Sequence, residues 1–323
     1  MSNTTEQLQT ETAAGGNEFL ELFGGIGDHY GLIIGPYHVA DLPFIFYDDG
    51  FHFYPTEKSM EEAGIFTMQE GKPVKASDQS SPALDLSVTN LVFFQWLAII
   101  LLFFLFRKVS KAYKKDPSSA PRGIQNMFEV LVSYVKDEIV IPNIPGKNAS
   151  YRLLPYFLTL FFFILGMNLI GLIPGAHTAT GSIGVTAALA VTAFIVINIT
   201  SIKEAGLKNY FKHLLGGAPV GLSFIMVPIE VLSMFIKPFA LTIRLFANMT
   251  AGHIVLLALL GLLFYFKTII ISPAIVGFSV FLYFLEFLVA LIQAYIFTML
   301  TAIFVGLAIG DHSSEEHQEQ AAN

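Results

Sequence analysis

The chain has 323 residues, of which 54% are hydrophobic and only 13% are charged, whereas soluble domains carry about 25% charged residues. It contains no cysteine, which excludes disulfides, thiolate metal sites and cysteine nucleophiles. The apolar residues are concentrated after residue 90 in runs of membrane-spanning length. The composition therefore predicts an all-α polytopic membrane protein with about five membrane helices.

The first 88 residues differ from the rest and predict a small region outside the bilayer. Residues 1–17 are polar and acidic and show no signal-peptide pattern. Further on, the aromatic runs 42–47 and 51–54 flank Asp48-Asp49-Gly50, a pattern that predicts a β-hairpin.

Four side chains of this region are of metal-binding type, namely His29, His38, Asp41 and His52. Their spacing matches none of the regular ligand patterns. We interpret them as scattered surface residues and predict no metal site.

The first spanning helix is predicted over residues 90–106. The basic residues that follow it are Arg107, Lys108, Lys111, Lys114 and Lys115. An excess of positive charge marks the cytoplasmic side of a membrane helix, so the N-terminal region is expected in the periplasm.

Residues 121–141 predict an amphipathic helix on the cytoplasmic membrane surface. Apolar residues recur there at helical spacing, with charged residues between them. Glu129 is one of these charged residues, and we interpret it as solvated.

Two spanning helices follow, over residues 154–174 and 183–202, and the loop between them has no Lys or Arg. This charge distribution predicts a path from inside to outside and back. Asn168 and Asn198 lie deep in these helices, where a helix-to-helix hydrogen bond or a water path would explain them.

The last two predicted helices, over residues 222–265 and 274–309, are too long to stand upright in a bilayer. At 1.5 Å per residue they measure about 65 Å and 54 Å, against a hydrocarbon thickness of about 30 Å. Strong tilt is costly against lipid, so these helices imply a partner protein within the membrane. The acidic residues 311–323 are predicted to form a cytoplasmic tail.

The same two helices carry nearly all the ionisable groups expected inside the membrane, which are Glu230, Lys237, Arg244, His253 and Glu286. Such groups are costly in the bilayer and by default mark ion paths. Glu230, Lys237 and Arg244 are seven residues apart and share one helix face, which Asn248 extends. His253 lies near the opposite face of this helix, and Glu286 shares a face of the last helix with Gln293.

Structural explanations exist for several of these residues. Lys237 can extend to the cytoplasmic interface, and Glu230 can be solvated or paired with Lys237. A structural salt bridge with Glu286 would account for Arg244. His253 would ordinarily be a packing residue, but Glu286 is its plausible partner, which favours a functional pair.

Residues 237–253, which read Lys-Pro-Phe-Ala-Leu-Thr-Ile-Arg-Leu-Phe-Ala-Asn-Met-Thr-Ala-Gly-His, resemble the signature of subunit a of F-type ATP synthases. Glu286 with residues 291–297 is similar to the last-helix motif of that family, and residues 121–126 and 167–174 are similar to its earlier motifs. The resemblance covers residues 90–310 and implies a bacterial member with a long N-terminal extension.

The family pattern also relates His253 to Glu286. Bacterial members often have Glu at the first position and His at the second, whereas this chain has the reverse, as mitochondrial-type members do. The exchange keeps one histidine and one carboxylate, which indicates that the two side chains meet.

The resemblance implies a stator that conducts protons past a ring of c subunits, each with a buried carboxylate, and that also binds the b-subunit stalk. Arg244 would separate two half-channels and hold the ring carboxylate opposite it in the ionised form. His253 and Glu286 would line the periplasmic half-channel, Asn248 and Gln293 would orient Arg244 or water, and Glu230 would belong to the cytoplasmic exit.

The expected protein is a non-catalytic, multi-pass subunit of the bacterial inner membrane, with its N-terminus periplasmic and its C-terminus cytoplasmic. No phosphate-binding loop is present, so ATP chemistry would belong to partner subunits. We expect no cofactor and no nucleic-acid partner. Sodium in place of protons stays open, and the alternatives are a secondary ion transporter or a structural membrane subunit.

Overall fold

The computed structural model describes residues 28–34, 37–69, 71–115, 121–173, 179–206, 220–266 and 272–321. Within these residues, five helices are long and apolar enough to cross a membrane. Their apolar spans are Asn90–Lys114, Lys147–Gly171, Ile183–Lys203, Phe239–Leu256 and Pro273–Ile309. The predicted all-α polytopic membrane fold is confirmed.

The helices of the membrane part extend beyond the apolar runs that predict them. Helix α2 comprises Asn90–Lys115, α5 Lys147–Gly171, α6 Ile183–Ala205, α7 Val220–Phe266 and α8 Ser272–Ala321. Helix α5 begins at Lys147 rather than Leu154, and α8 continues past the predicted end at residue 309. Hydropathy indicates where a helix enters apolar surroundings, whereas its backbone hydrogen bonds continue through polar residues of good helix propensity.

Between α2 and α5 lies a segment made of three short helical pieces. Helix α3 (Ile124–Tyr134) continues as a π-helical turn (Val135–Val140) and then as α4 (Ile141–Asn143). Val135, Ile139 and Val140 are fully buried. Glu129 is exposed, as expected, but it also accepts a hydrogen bond from the hydroxyl of Tyr113 at the end of α2.

This segment packs closely against the second half of α8. The rings of Tyr134 and Tyr295 lie 6.0 Å apart, and the amide nitrogen of Asn143 donates to the sulfur of Met299. A Cβ atom on Gly306 would lie 1.8 Å from the carbonyl oxygen of Asn143. Only glycine fits at this crossing, because the obstacle is backbone rather than a movable side chain.

The described part of the N-terminal region, from residue 28 onward, contains seven short strands and one short helix. The strands are β1 (Gly31–Ile34), β2 (Tyr37–Asp41), β3 (Phe44–Tyr47), β4 (Phe51–Tyr54), β5 (Phe66–Gln69), β6 (Lys72–Lys75) and β7 (Leu84–Asp85). The predicted hairpin is confirmed, since β3 and β4 pair antiparallel with Phe44 opposite Tyr54 and Tyr47 opposite Phe51. Strand β7 pairs with the other edge of β3.

Helix α1 (Glu57–Ala63) begins with a capping box between Thr56 and Ser59 and ends at Gly64, whose φ of 70° suits glycine. Its Met60 packs into an apolar core with Phe44, Phe46 and Phe66. These four side chains are at most 1% exposed, so the region has a small core of its own.

Two polar contacts hold parts of this region together. The Tyr30 hydroxyl donates to a carboxylate oxygen of Asp85 at 2.6 Å. Burial, together with this bond, raises the pKa of Tyr30, so the hydroxyl remains a donor at physiological pH. The Lys75 ammonium lies 2.6 Å from the carboxylate of Asp48, and this hydrogen bond raises the pKa of Lys75.

The chain divides into two compact units, each assembled from several stretches. One comprises residues 1–98, 167–179 and 250–287, and the other comprises residues 99–166, 180–249 and 288–323. Each unit contains one group of the polar side chains singled out by the sequence.

Candidate functional site

The first group is a histidine–carboxylate pair on α7 and α8. His253 Nδ1 lies 2.8 Å from Glu286 Oε1. The Glu286 side chain is only 5% exposed, and its Oε2 is buried without a hydrogen-bond partner among the described residues. The predicted contact between these residues is present. A buried acid bonded to an imidazole can accept and pass on protons, because histidine changes charge near neutral pH.

Gly252 makes room for this pair. A Cβ atom at this position would lie 2.8 Å from Glu286 Oε1 and 3.2 Å from the carboxyl carbon. Any side chain would therefore displace the carboxylate from His253. Gly252 is a site residue that the sequence did not indicate by itself, although it directly precedes His253 within the run of residues 237–253 that resembles the family signature.

The second group is an amide pair, also on α7 and α8. Asn248 Nδ2 donates to Gln293 Oε1 at 2.8 Å. Gln293 is 2% exposed, whereas Asn248 lies at the exposed surface of its helix. The buried glutamine thus fixes the orientation of an amide that faces outward.

Arg244 lies one helical turn before Asn248 and is also exposed. It forms no ion pair with any residue that the structure describes. The carboxylate of Glu286 is bonded to His253, and the salt bridge between Glu286 and Arg244 stays a prediction of the sequence. Leu241, Leu245 and Met249 on the neighbouring side of α7 are buried, so Arg244 lies beside a packed face of its helix.

The remaining polar residues that the sequence singled out do not belong to either group. The side chains of Glu230, Lys237 and His38 lie outside the described residues. Asn198 donates to the carbonyl of Phe194 in its own helix, and Asn168 is fully buried. Across the part of the chain that is described, no group of three or more His, Asp or Glu side chains is placed to hold a metal ion.

Comparison with known proteins identifies the relatives of this chain. A family model described as ATP synthase A chain matches residues 92–306. The chain is 48% identical over 236 residues to ATP synthase subunit a of Chloroherpeton thalassium, covering 72% of this chain and 70% of that protein. It is 46% identical over 240 residues to ATP synthase subunit a 2 of Chlorobaculum tepidum, covering 74% of this chain and 68% of that protein.

Proposed function

Since this chain belongs to the ATP synthase A chain family, we propose that it is the proton-conducting stator of the ATP synthase membrane sector. It would be a non-catalytic subunit that carries protons to and from a ring of c subunits. Proton flow through two offset half-channels would turn the ring and thereby drive ATP synthesis elsewhere in the complex.

The observation that carries this proposal is the exposed guanidinium of Arg244, which forms no ion pair with any described residue. A cation in the apolar part of a membrane helix costs several kcal/mol unless it is paired. No Asp or Glu in the described part of the chain forms an ion pair with Arg244. We therefore infer that a partner subunit provides the negative charge. A carboxylate on each c subunit would supply that charge.

This pairing would make Arg244 the barrier between the half-channels. A guanidinium keeps its proton under all physiological conditions, so it cannot relay one. A ring carboxylate that arrives opposite Arg244 is favoured in its ionised form and gives its proton to the exit path. Direct leakage from one half-channel to the other is blocked by the fixed positive charge.

His253 and Glu286 would form the entry relay. A proton reaching Glu286 Oε2, the buried oxygen that has no hydrogen-bond partner among the described residues, can be taken up by the carboxylate–imidazole pair. The pair then delivers it toward an ionised ring carboxylate. Histidine and glutamate both exchange protons at accessible pH, which an amide or hydroxyl in the same place would not do.

Asn248 and Gln293 would position Arg244, the residue that the ring carboxylate meets. Gln293 is buried and holds Asn248 by the 2.8 Å bond, so the Asn248 amide is presented beside Arg244 on the same helix face. Glu230, two helical turns before Lys237 begins the signature, would serve the cytoplasmic exit.

The lengths of the last two helices support a partner in the membrane. Helix α7 has 47 residues and α8 has 50, so each is more than twice the length of about 20 residues that spans the hydrocarbon core. We therefore infer that both are strongly tilted and pack along the c ring, with the b-subunit stalk as a further partner. The basic residues at the end of α2 support a periplasmic N-terminus and a cytoplasmic C-terminus in a bacterial inner membrane.

The test is ATP-driven acidification of inverted membrane vesicles from cells that carry Arg244→Ala. Without the fixed positive charge, the ring carboxylate is no longer held in its ionised form, so we expect pumping to fall about a hundredfold, as when one electrostatic stabilising group is removed from an active site, with increased passive proton leak. Ile243→Ala, which removes an exposed apolar neighbour on the same turn, should pump normally. Normal pumping by Arg244→Ala with normal assembly would reduce the chain to a structural subunit.

A further inference from the structure

One side of the three-stranded sheet in the N-terminal region is apolar and exposed. Strands β4, β3 and β7 lie side by side in that order, and paired residues of antiparallel strands point to the same side. The side opposite the core carries Ile45, Tyr47, Phe51, Phe53, Leu84 and Leu86. We refer to these six residues as the aromatic face.

The exposure of this face is unusual for a region with its own core. Phe51 is 69% exposed, Tyr47 58% and Phe53 55%, while the alternate residues Phe44 and Phe46 are buried on the other side. Contiguous exposed apolar surfaces of this kind mark contact with a membrane or another protein.

The charges of the region lie on the other side of the sheet. Helix α1 covers the buried side through Met60, and its Glu61 and Glu62 are exposed to solvent. Strands β3, β4 and β7 carry one Asp, Glu, Lys or Arg, namely Asp85, which is paired with Phe46 and therefore points to the core side. Asp48 at the hairpin tip is paired with Lys75. The region is therefore amphipathic as a whole, with an acidic side and an aromatic side.

The sheet is held close to the point where the first membrane helix begins. Strand β7 is followed after four residues by α2, and the pairing continues through the bond from the Leu86 amide to the Ile45 carbonyl. The Asn90 amide donates to the His29 carbonyl at 2.8 Å, and the Asn90 side chain accepts from the His29 amide at 3.2 Å. These two hydrogen bonds tie the segment just before β1 to the first turn of α2.

We propose that the aromatic face lies on the lipid headgroup region of the leaflet at which α2 begins. Tyrosine is enriched at this depth because its apolar ring and its polar hydroxyl are both satisfied there, and phenylalanine and leucine bury their apolar side chains at the boundary with the acyl chains. The short tether keeps the face within reach of the bilayer, and the acidic side of α1 is left toward water. The N-terminal region is on this view an interfacial anchor for the first membrane helix.

The absence of cysteine from the chain allows a direct test by spin labelling. A nitroxide is attached at Phe51→Cys, and at Glu61→Cys as the matched position on the acidic side, in the full chain reconstituted in phosphatidylcholine–phosphatidylglycerol vesicles. Collision rates with oxygen, which concentrates in lipid, are compared with those of a water-soluble nickel complex. We expect the oxygen-to-nickel ratio at position 51 to exceed that at position 61 by about threefold, as for an apolar face buried at the interface.

Equal ratios at the two positions would overturn the proposal. Shielding of position 51 from both reagents would overturn it as well, in favour of a protein occupant. Leu84→Cys, which lies opposite Tyr47 on the same face, gives a second reading if the variant at position 51 does not insert. The same labels in the assembled complex show whether another subunit replaces lipid on this face.

Discussion

The N-terminal region and the helical part of the molecule distribute their side chains in opposite ways. The N-terminal core consists of Phe44, Phe46, Met60 and Phe66, as in a protein that folds in water. In the helical part, large apolar side chains such as Phe104 and Phe284 are more than 60% exposed, while Gln293, Thr298 and Thr301 are buried.

The difference follows from the solvent. Water drives apolar side chains inward, but lipid is as apolar as they are, so helix contacts there depend on close packing and on satisfied polar groups. Thr298 and Thr301 satisfy their hydroxyls within their own helix, by bonds to Ala294 and Phe297. Polar residues that are instead bonded across helices, such as Glu286 and Gln293, are the candidates for function.

Among the variants that test this comparison, the largest effect on ATP-driven pumping is expected at the buried acid, Glu286. Glu286→Gln keeps the shape and a hydrogen bond to His253 but removes proton exchange. Because positioned acid–base groups contribute about 10²–10⁴-fold to proton transfer, we expect ATP-driven pumping to fall at least about tenfold. Leu285→Ala, at an exposed neighbour, should leave pumping unchanged.

The double exchange His253→Glu with Glu286→His sharpens that test, because it keeps one imidazole and one carboxylate. It should recover part of the activity lost in each single exchange. If the double variant pumped no better than the worse single variant, the two residues would not be acting as a pair.

Gly306→Ala tests the close backbone crossing in the helical part. The added methyl group meets the carbonyl of Asn143, and overpacking of this kind costs about 1–3 kcal/mol. We expect several-fold less assembled subunit in membranes, measured by immunoblotting, with pumping reduced in proportion. Gly277→Ala is the matched control, because a Cβ there meets nothing within 4 Å.

Gly252→Ala should have a smaller effect, because the obstacle is the movable end of the Glu286 side chain. The carboxylate shifts away from His253, and we expect pumping to fall a few-fold while assembly stays normal. Its combination with Glu286→Gln should be less than additive, as for residues acting on one interaction. Full additivity would place Gly252 outside the relay.

Phe46→Ala should have the smallest effect on pumping, although it strongly affects its own region. Loss of a fully buried phenylalanine costs about 3–5 kcal/mol, so residues 28–88 should become sensitive to limited proteolysis. Val39→Ala, at an exposed position, should remain resistant. A collapse of pumping in Phe46→Ala vesicles that still contain normal amounts of subunit would show that the two regions are energetically coupled.

Much of the fold can be predicted from the sequence because its signals are local. Runs of about 20 apolar residues indicate the spanning helices, and the turn residues Asp48-Asp49-Gly50 between aromatic runs indicate the hairpin. The ends of helices were predicted less well. Lys147 and Arg152 lie inside α5 because helix hydrogen bonding continues beyond the apolar run.

The sequence by itself determined which ionisable residues lie in membrane helices, since a charge within an apolar run is visible without any structure. Only the tertiary structure decided that Glu286 bonds His253 and that Gly252 and Gly306 are close-contact positions. It also decided that one side of the N-terminal sheet stays exposed. These properties depend on distances between residues far apart in the chain, and such distances are fixed by packing rather than by local pattern.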